Sequence, residues 1–172
     1  DHHYLLGVSC FERFMVLSER SDGLADLRLR DYAGEEQVIG FPEPVYTAYA
    51  SGMPEFGSRL LRYGYQSLVT PSSIYDYDMA AGTSTLLKRE EVLGGYDPAR
   101  YASERLWATA RDGVKVPISI VYPKAFARDG KAPLWLYGYG SYGAGMSAWF
   151  DSRRLSLLDR GIPFAIAHVR GG

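Results

Sequence analysis

Apolar and polar residues alternate along most of the first half of the chain, the spacing of half-buried strands. Leu24-Ala25-Asp26-Leu27-Arg28-Leu29-Arg30 is the clearest stretch. Phe11–Arg20 precedes it, centred on Phe14-Met15-Val16-Leu17, and Ser21-Asp22-Gly23 between them is a hairpin signal. Asp31–Glu35 is the next turn, Gln37–Gly40 a short strand, and Val45–Ala50 another, bounded by Pro42, Pro44 and Pro54. Ser67–Thr70, Ser73–Asp78 and Thr85–Lys88 repeat the pattern around the turn Ala80–Ser84. Short strands at even spacing, with no helical periodicity, predict a sandwich, barrel or propeller.

The grammar changes after Gly94-Gly95-Tyr96-Asp97-Pro98, which reads as a linker. Glu104–Thr109 and Val114–Tyr122 form a predicted hairpin around Arg111-Asp112-Gly113, with Pro117 expected at an edge or irregularity. Pro133–Tyr137 is a continuous apolar run, as for a strand buried on both faces. A Gly- and Tyr-rich loop follows over 138–147. Asp151–Arg160 reads as a short helix capped by Asp151 and stopped by Gly161 and Pro163, and Phe164–Val169 as another buried strand. Strand, loop, helix, strand predicts a parallel pair, so the chain is β-rich with an α/β portion at its end.

Composition narrows the function. Apolar residues are 47% of the chain, enough for a core. The formal net charge is -1, from 19 basic and 20 acidic residues, which provides no footprint for nucleic acid or an anionic membrane. No apolar run approaches the ~20 residues of a membrane span, and no signal peptide is visible at Asp1-His2-His3-Tyr4. The absence of an initiating Met points to residues upstream. Cys10 is the single cysteine, which fits a reducing compartment. His2 and His3 have no accompanying ligand cluster, so no metal site is expected.

Gly138-x-Gly140-x-x-Gly143 follows a strand and raises a dinucleotide-binding alternative. Against it, Tyr139 and Tyr142 are bulky where backbone must approach pyrophosphate, the third Gly lies far from Asp151, and no acid ends the next strand. Neither Ser141 nor Ser147 sits in Gly-x-Ser-x-Gly, the turn that exposes a nucleophile. His168 ends a strand with no such turn before it, and is expected to make a local hydrogen bond. A stand-alone β-rich interaction module is a further alternative.

Longer motifs carry a family resemblance. Leu61-Arg62-Tyr63-Gly64-Tyr65-Gln66-Ser67, the run Ser103–Gly113 with Val116-Pro117, Tyr137–Gly143, Arg154–Gly161 and His168-Val169-Arg170-Gly171-Gly172 resemble the prolyl oligopeptidase family of serine peptidases, most of all its oligopeptidase B branch. The resemblance implies the C-terminal blades of a seven-bladed β-propeller over residues 1–92. It implies the opening of an α/β-hydrolase domain over 98–172, cut short before its nucleophile. The implied parent is a cytoplasmic, cofactor-free serine endopeptidase cleaving short peptides after Arg or Lys. The 172 residues alone would then be inactive, because Ser, Asp and His of the triad are absent. Tyr139 matches the family Tyr whose hydroxyl completes the oxyanion hole, and Tyr142 an aromatic lining the substrate cleft. Ser147 and Trp149 stand where the branch often carries acids, so no preference for dibasic sites carries over.

Overall fold

Strand-period alternation becomes two consecutive antiparallel meanders. The computed structural model describes residues 3–53 and 55–171; the expectations attached to His2, Pro54 and Gly172 lie outside them. The first meander comprises β1 (His3–Cys10), β2 (Phe14–Ser21), β3 (Leu24–Asp31) and β4 (Glu36–Val38). The second comprises β5 (Tyr46–Ala50), β6 (Leu60–Ser67), β7 (Ser73–Asp78) and β8 (Thr83–Arg89). A single parallel pair, Ala25 with Thr47, links them through β3 and β5.

The alternation has the expected consequence in β3. Leu27 and Leu29 are buried, while Arg28 turns outward to Glu19 and Glu36, 3.0 Å from each. Asp22 and Gly23, at φ 51° and 82°, make the two-residue turn between the paired residues Ser21 and Leu24. Both positions of a type I′ turn need positive φ, which Asp-Gly tolerates. Leu27, Leu61, Tyr63, Tyr65 and Tyr77 form the core between the meanders. Each fully buried Leu contributes roughly 1.5–3 kcal/mol.

Two sequence expectations fail here. The terminus at His3 reads as unanchored from its sequence, yet His3 opens β1, which pairs along β2 from His3–Ser21 to Cys10–Met15. Ser67–Thr70 is a turn, not a strand: the Ser67 hydroxyl accepts from Val69 N at 2.8 Å and Thr70 N at 2.6 Å. The strand is β6, whose apolar 61, 63 and 65 positions alternate around Gly64.

Gly94 and Gly95 then carry the chain out at φ 87° and 88°. Tyr96 fixes the far side of this linker by donating to Val69 O at 2.6 Å and stacking on Tyr101. Beyond it come β9 (Tyr101–Thr109), β10 (Lys115–Pro123), β11 (Trp135–Gly138), the small hairpin β12 (Gly140–Ser141) and β13 (Ala144–Gly145), the helical turn α1 (Leu155–Leu158) and β14 (Phe164–Ala167). Their sheet runs β11-β14-β10-β9, and β11–β14 is the expected parallel pair. Asp151 does cap, accepting from Arg153 N at 3.0 Å, but it opens a 3-10 turn over Ser152–Arg154, and α1 is only 4 residues long.

Pro117 lies inside β10, a central strand, rather than at an edge. It sits one place beyond the last residue that β14 pairs, and its carbonyl accepts from His168 N at 2.9 Å. Pro133–Tyr137 is also corrected: Trp135, Leu136 and Tyr137 are about half exposed, because β11 has a neighbour only on its β14 side. A second core joins both halves of the chain, with Val45, Leu68 and Val69 packed against Tyr101, Val121, Leu158 and Ile166. No helix among the described residues is long and apolar enough to cross a membrane.

Candidate functional site

β11 and β14 run parallel, so the segments leaving their C-terminal ends lie side by side. That end of a parallel sheet is where α/β folds place ligand chemistry. Tyr139 stands immediately after β11 and is 42% exposed. Tyr142 is 98% exposed at the tip of the β12–β13 hairpin, with φ 57°. With Gly143 at φ 71° it forms another type I′ turn, between the paired Ser141 and Ala144. Tyrosine is a poor residue for that conformation, at a cost of roughly 1–2 kcal/mol.

Glycines hold this loop against the segment after β14. A Cβ on Gly140 would lie 2.6 Å from Val169 O, and one on Gly171 would lie 2.6 Å from Gly140 O. Gly143 N donates to Gly171 O at 3.0 Å. The predicted motifs Tyr137–Gly143 and His168–Gly171 therefore meet in space.

His168 does make a hydrogen bond, but with a partner distant in sequence rather than a local one. Ser119 Oγ lies 2.7 Å from its Nε2, a partner 49 residues away that no sequence signal indicated. Burial, together with the Arg105 charge, pushes His168 down to about 4, while a hydrogen bond with the Met146 backbone opposes the shift. The imidazole is therefore neutral near pH 7. Ser119 is completely buried in the middle of the sheet, so its hydroxyl cannot serve as a nucleophile toward a substrate. The β2–β3 turn rests on the same ring: a Cβ on Gly23 would be 3.1 Å from His168 Cγ.

Ser141, in the short strand β12, and Ser147, in the loop after β13, are both exposed. The third glycine of Gly138-x-Gly140-x-x-Gly143 belongs to a hairpin turn and does not open a helix, so the dinucleotide fingerprint lacks its structural context. His3 faces Glu19 at 3.6 Å, and the described residues contain no group of three metal-ligating side chains.

A cavity of about 310 Å³ opens beside the loop, between the β2–β3 turn and the mixed sheet. Arg20, Asp22, Trp107, Lys115, Ser147 and His168 are among its walls. Sequence reasoning did not find it, because its residues come from distant parts of the chain.

Residues 1–90 match the family model described as prolyl oligopeptidase, N-terminal beta-propeller domain. The chain is 43% identical over its whole length to "Dipeptidyl aminopeptidase BI" of Pseudoxanthomonas mexicana, covering 24% of that protein. It is 37% identical to "Protease 2" of Moraxella lacunata, covering all of this chain and 25% of that one. Oligopeptidase B from Trypanosoma brucei, solved in a closed form with covalently bound antipain, superposes with a TM-score of 0.90 at 40% identity, over 100% of this chain and 26% of that one. The chain thus spans about a quarter of the length of the curated relatives it matches.

Proposed function

The chain belongs to the prolyl oligopeptidase family of peptidases, and on that premise we propose that it is part of a cytoplasmic, cofactor-free serine oligopeptidase that cleaves short peptides after Arg or Lys. Residues 1–92 are then the C-terminal part of the propeller, and residues 98–172 the opening of the α/β-hydrolase domain. The observation that carries this reading is the exposed Tyr139 at the C-terminal end of a parallel strand, on a loop clamped by close-approach glycines.

Tyr139 donates its phenolic hydrogen to the oxyanion that develops when a serine adds to the scissile carbonyl. A donor already aimed at that charge lowers the barrier by roughly 3–4 kcal/mol. Tyr142 contributes an aromatic wall for the peptide. The nucleophile, acid and base are not among these 172 residues, so the chain alone turns over no peptide.

Assayed in the full-length protein on an Arg-containing peptide, Tyr139→Phe lowers kcat about a hundredfold and leaves KM within a few fold. Unchanged kcat removes Tyr139 from the mechanism. The relative named dipeptidyl aminopeptidase favours a second reading, removal of dipeptides from free N-termini. An N-acetylated substrate separates the two: an endopeptidase cleaves it, whereas a dipeptidyl aminopeptidase requires the free amine.

A further inference from the structure

Tyr139 is 42% exposed, so side-chain packing does little to fix it, and its position comes from the backbone it rests on. That backbone is the segment after β14. Gly138 and Ala167 are the last parallel pair of β11 and β14, so Tyr139 and His168 are the next residues on adjacent strands. A Cβ on Gly140 would meet Val169 O at 2.6 Å and Arg170 O at 2.8 Å, and Gly143 N donates to Gly171 O at 3.0 Å. Residues 168–171 are therefore the bed under residues 139–143.

The bed begins where β14 ends, so it is held by bonds outside the sheet ladder. His168 N donates to Pro117 O at 2.9 Å. The His168 ring turns back into the sheet, where Nε2 lies 2.7 Å from Ser119 Oγ. Ser119 is fully buried in β10, paired with Arg105 of β9 on one side and Ile166 of β14 on the other. A hydroxyl so placed has no water to turn to, and losing its partner is costly. The ring also bonds the Met146 backbone, at the exit of the hairpin that follows Tyr139. One more fastening is Arg170 to Asp112 at 2.5 Å, an exposed ion pair of the weak kind.

We propose that His168 is a positioning residue: its hydrogen bond with Ser119 holds residues 168–171 in place and so sets the oxyanion donor Tyr139. The task of Tyr139 rests on the oligopeptidase reading; the support of its loop by His168 does not. A buried Ser–His pair with no nucleophilic use thereby acquires a role in geometry.

The test uses the full-length protein and two readouts. On an Arg-containing peptide, His168→Ala is expected to lower kcat roughly tenfold and leave KM within a few fold, because a small displacement of a preorganised donor is costly. In a Tyr139→Phe background the same change should cost about twofold or less, since the donor it serves is gone. His168→Gln, whose amide can stand in for Nε2, is expected to recover most of the loss, and His168→Asn, whose amide falls short of Ser119, is not. Hydrogen exchange over residues 139–143 reads the loop without turnover. His168→Ala should speed exchange at the Gly143 amide roughly tenfold or more, and His168→Gln should return it toward the parent rate. Should His168→Ala not fold, Ser119→Ala carries both readouts in the same direction.

Full additivity of the two kcat losses overturns the proposal, because His168 would then act on something other than Tyr139. So does unchanged exchange at Gly143, or a Gln variant no better than Ala. Unchanged kcat in Tyr139→Phe strikes only the oligopeptidase reading, and the exchange result then decides alone whether His168 holds the loop.

Discussion

Gly140 and Gly171 meet backbone to backbone, the carbonyl of the first occupying the place where a Cβ of the second would stand, 2.6 Å away. The contact sets the path of the loop that carries Tyr139. Gly171 is also at φ 94°, so a side chain there is strained in conformation as well as in space.

Gly171→Ala is therefore expected to destabilise the fold by about 2 kcal/mol, the usual scale for a backbone effect at a special conformation. Gly140→Ala should cost a similar amount through Val169 O. Chemical denaturation reads the loss. Midpoints unchanged in both variants would mean that the two segments are not held together.

Tyr142→Asn should act in the opposite direction. Asn tolerates the left-handed region that Tyr142 occupies at φ 57°, so stability is expected to rise by about 1 kcal/mol. At 98% exposure the ring has almost no packing to lose. If the ring forms a substrate wall, the same variant raises KM in the full-length protein. A stabilised variant with unchanged KM keeps the turn analysis and removes the wall.

Gly64 and Tyr49 are cross-strand partners in β6 and β5, and a Cβ on Gly64 would lie 2.2 Å from the Tyr49 ring. Gly64→Ala should cost roughly 1–3 kcal/mol as overpacking. Tyr49→Ala in the same chain should recover much of that loss, giving a coupling of about 1 kcal/mol or more in a double-mutant cycle. Simple additivity would show that the ring does not need the glycine.

His168 makes stability depend on pH. Its protonation is depressed to about 4 in the fold, so the unfolded chain binds more protons as pH falls below the ordinary imidazole range. The contribution is fully present above about pH 7 and declines toward about pH 4. Between about pH 7 and about pH 5 the loss is roughly 2 kcal/mol. Denaturation curves at both values, compared with His168→Gln, isolate the effect, since the Gln variant should lose less over the same interval.

The meanders were legible because each strand's period and each turn's chemistry are local. Leu24–Arg30 declared its buried face, and Asp22-Gly23 its hairpin. β1 escaped because its apolar residues Tyr4, Leu5, Leu6 and Val8 remain largely exposed, so the run has no clean alternation to read. β6 was obscured by Gly64, which looks like a strand breaker until Tyr49 fills the space beside it. At the candidate site, the sequence singled out both glycine motifs, and the structure brings them together. The sequence could not reveal that Arg20, Lys115 and His168 line one cavity, since only the docking of the β2–β3 turn on His168 brings them together.

The strand order β11-β14-β10-β9 also governs time. Within each meander, every strand pairs with one made immediately before it, so register can be established as the polypeptide leaves the ribosome. β11 has no such option. Its partner is β14, made 26 residues later, which must slide between β11 and the finished β9–β10 hairpin. Such non-local pairing is slow. The apolar Trp135-Leu136-Tyr137 edge therefore waits through synthesis as the segment most in need of chaperone protection.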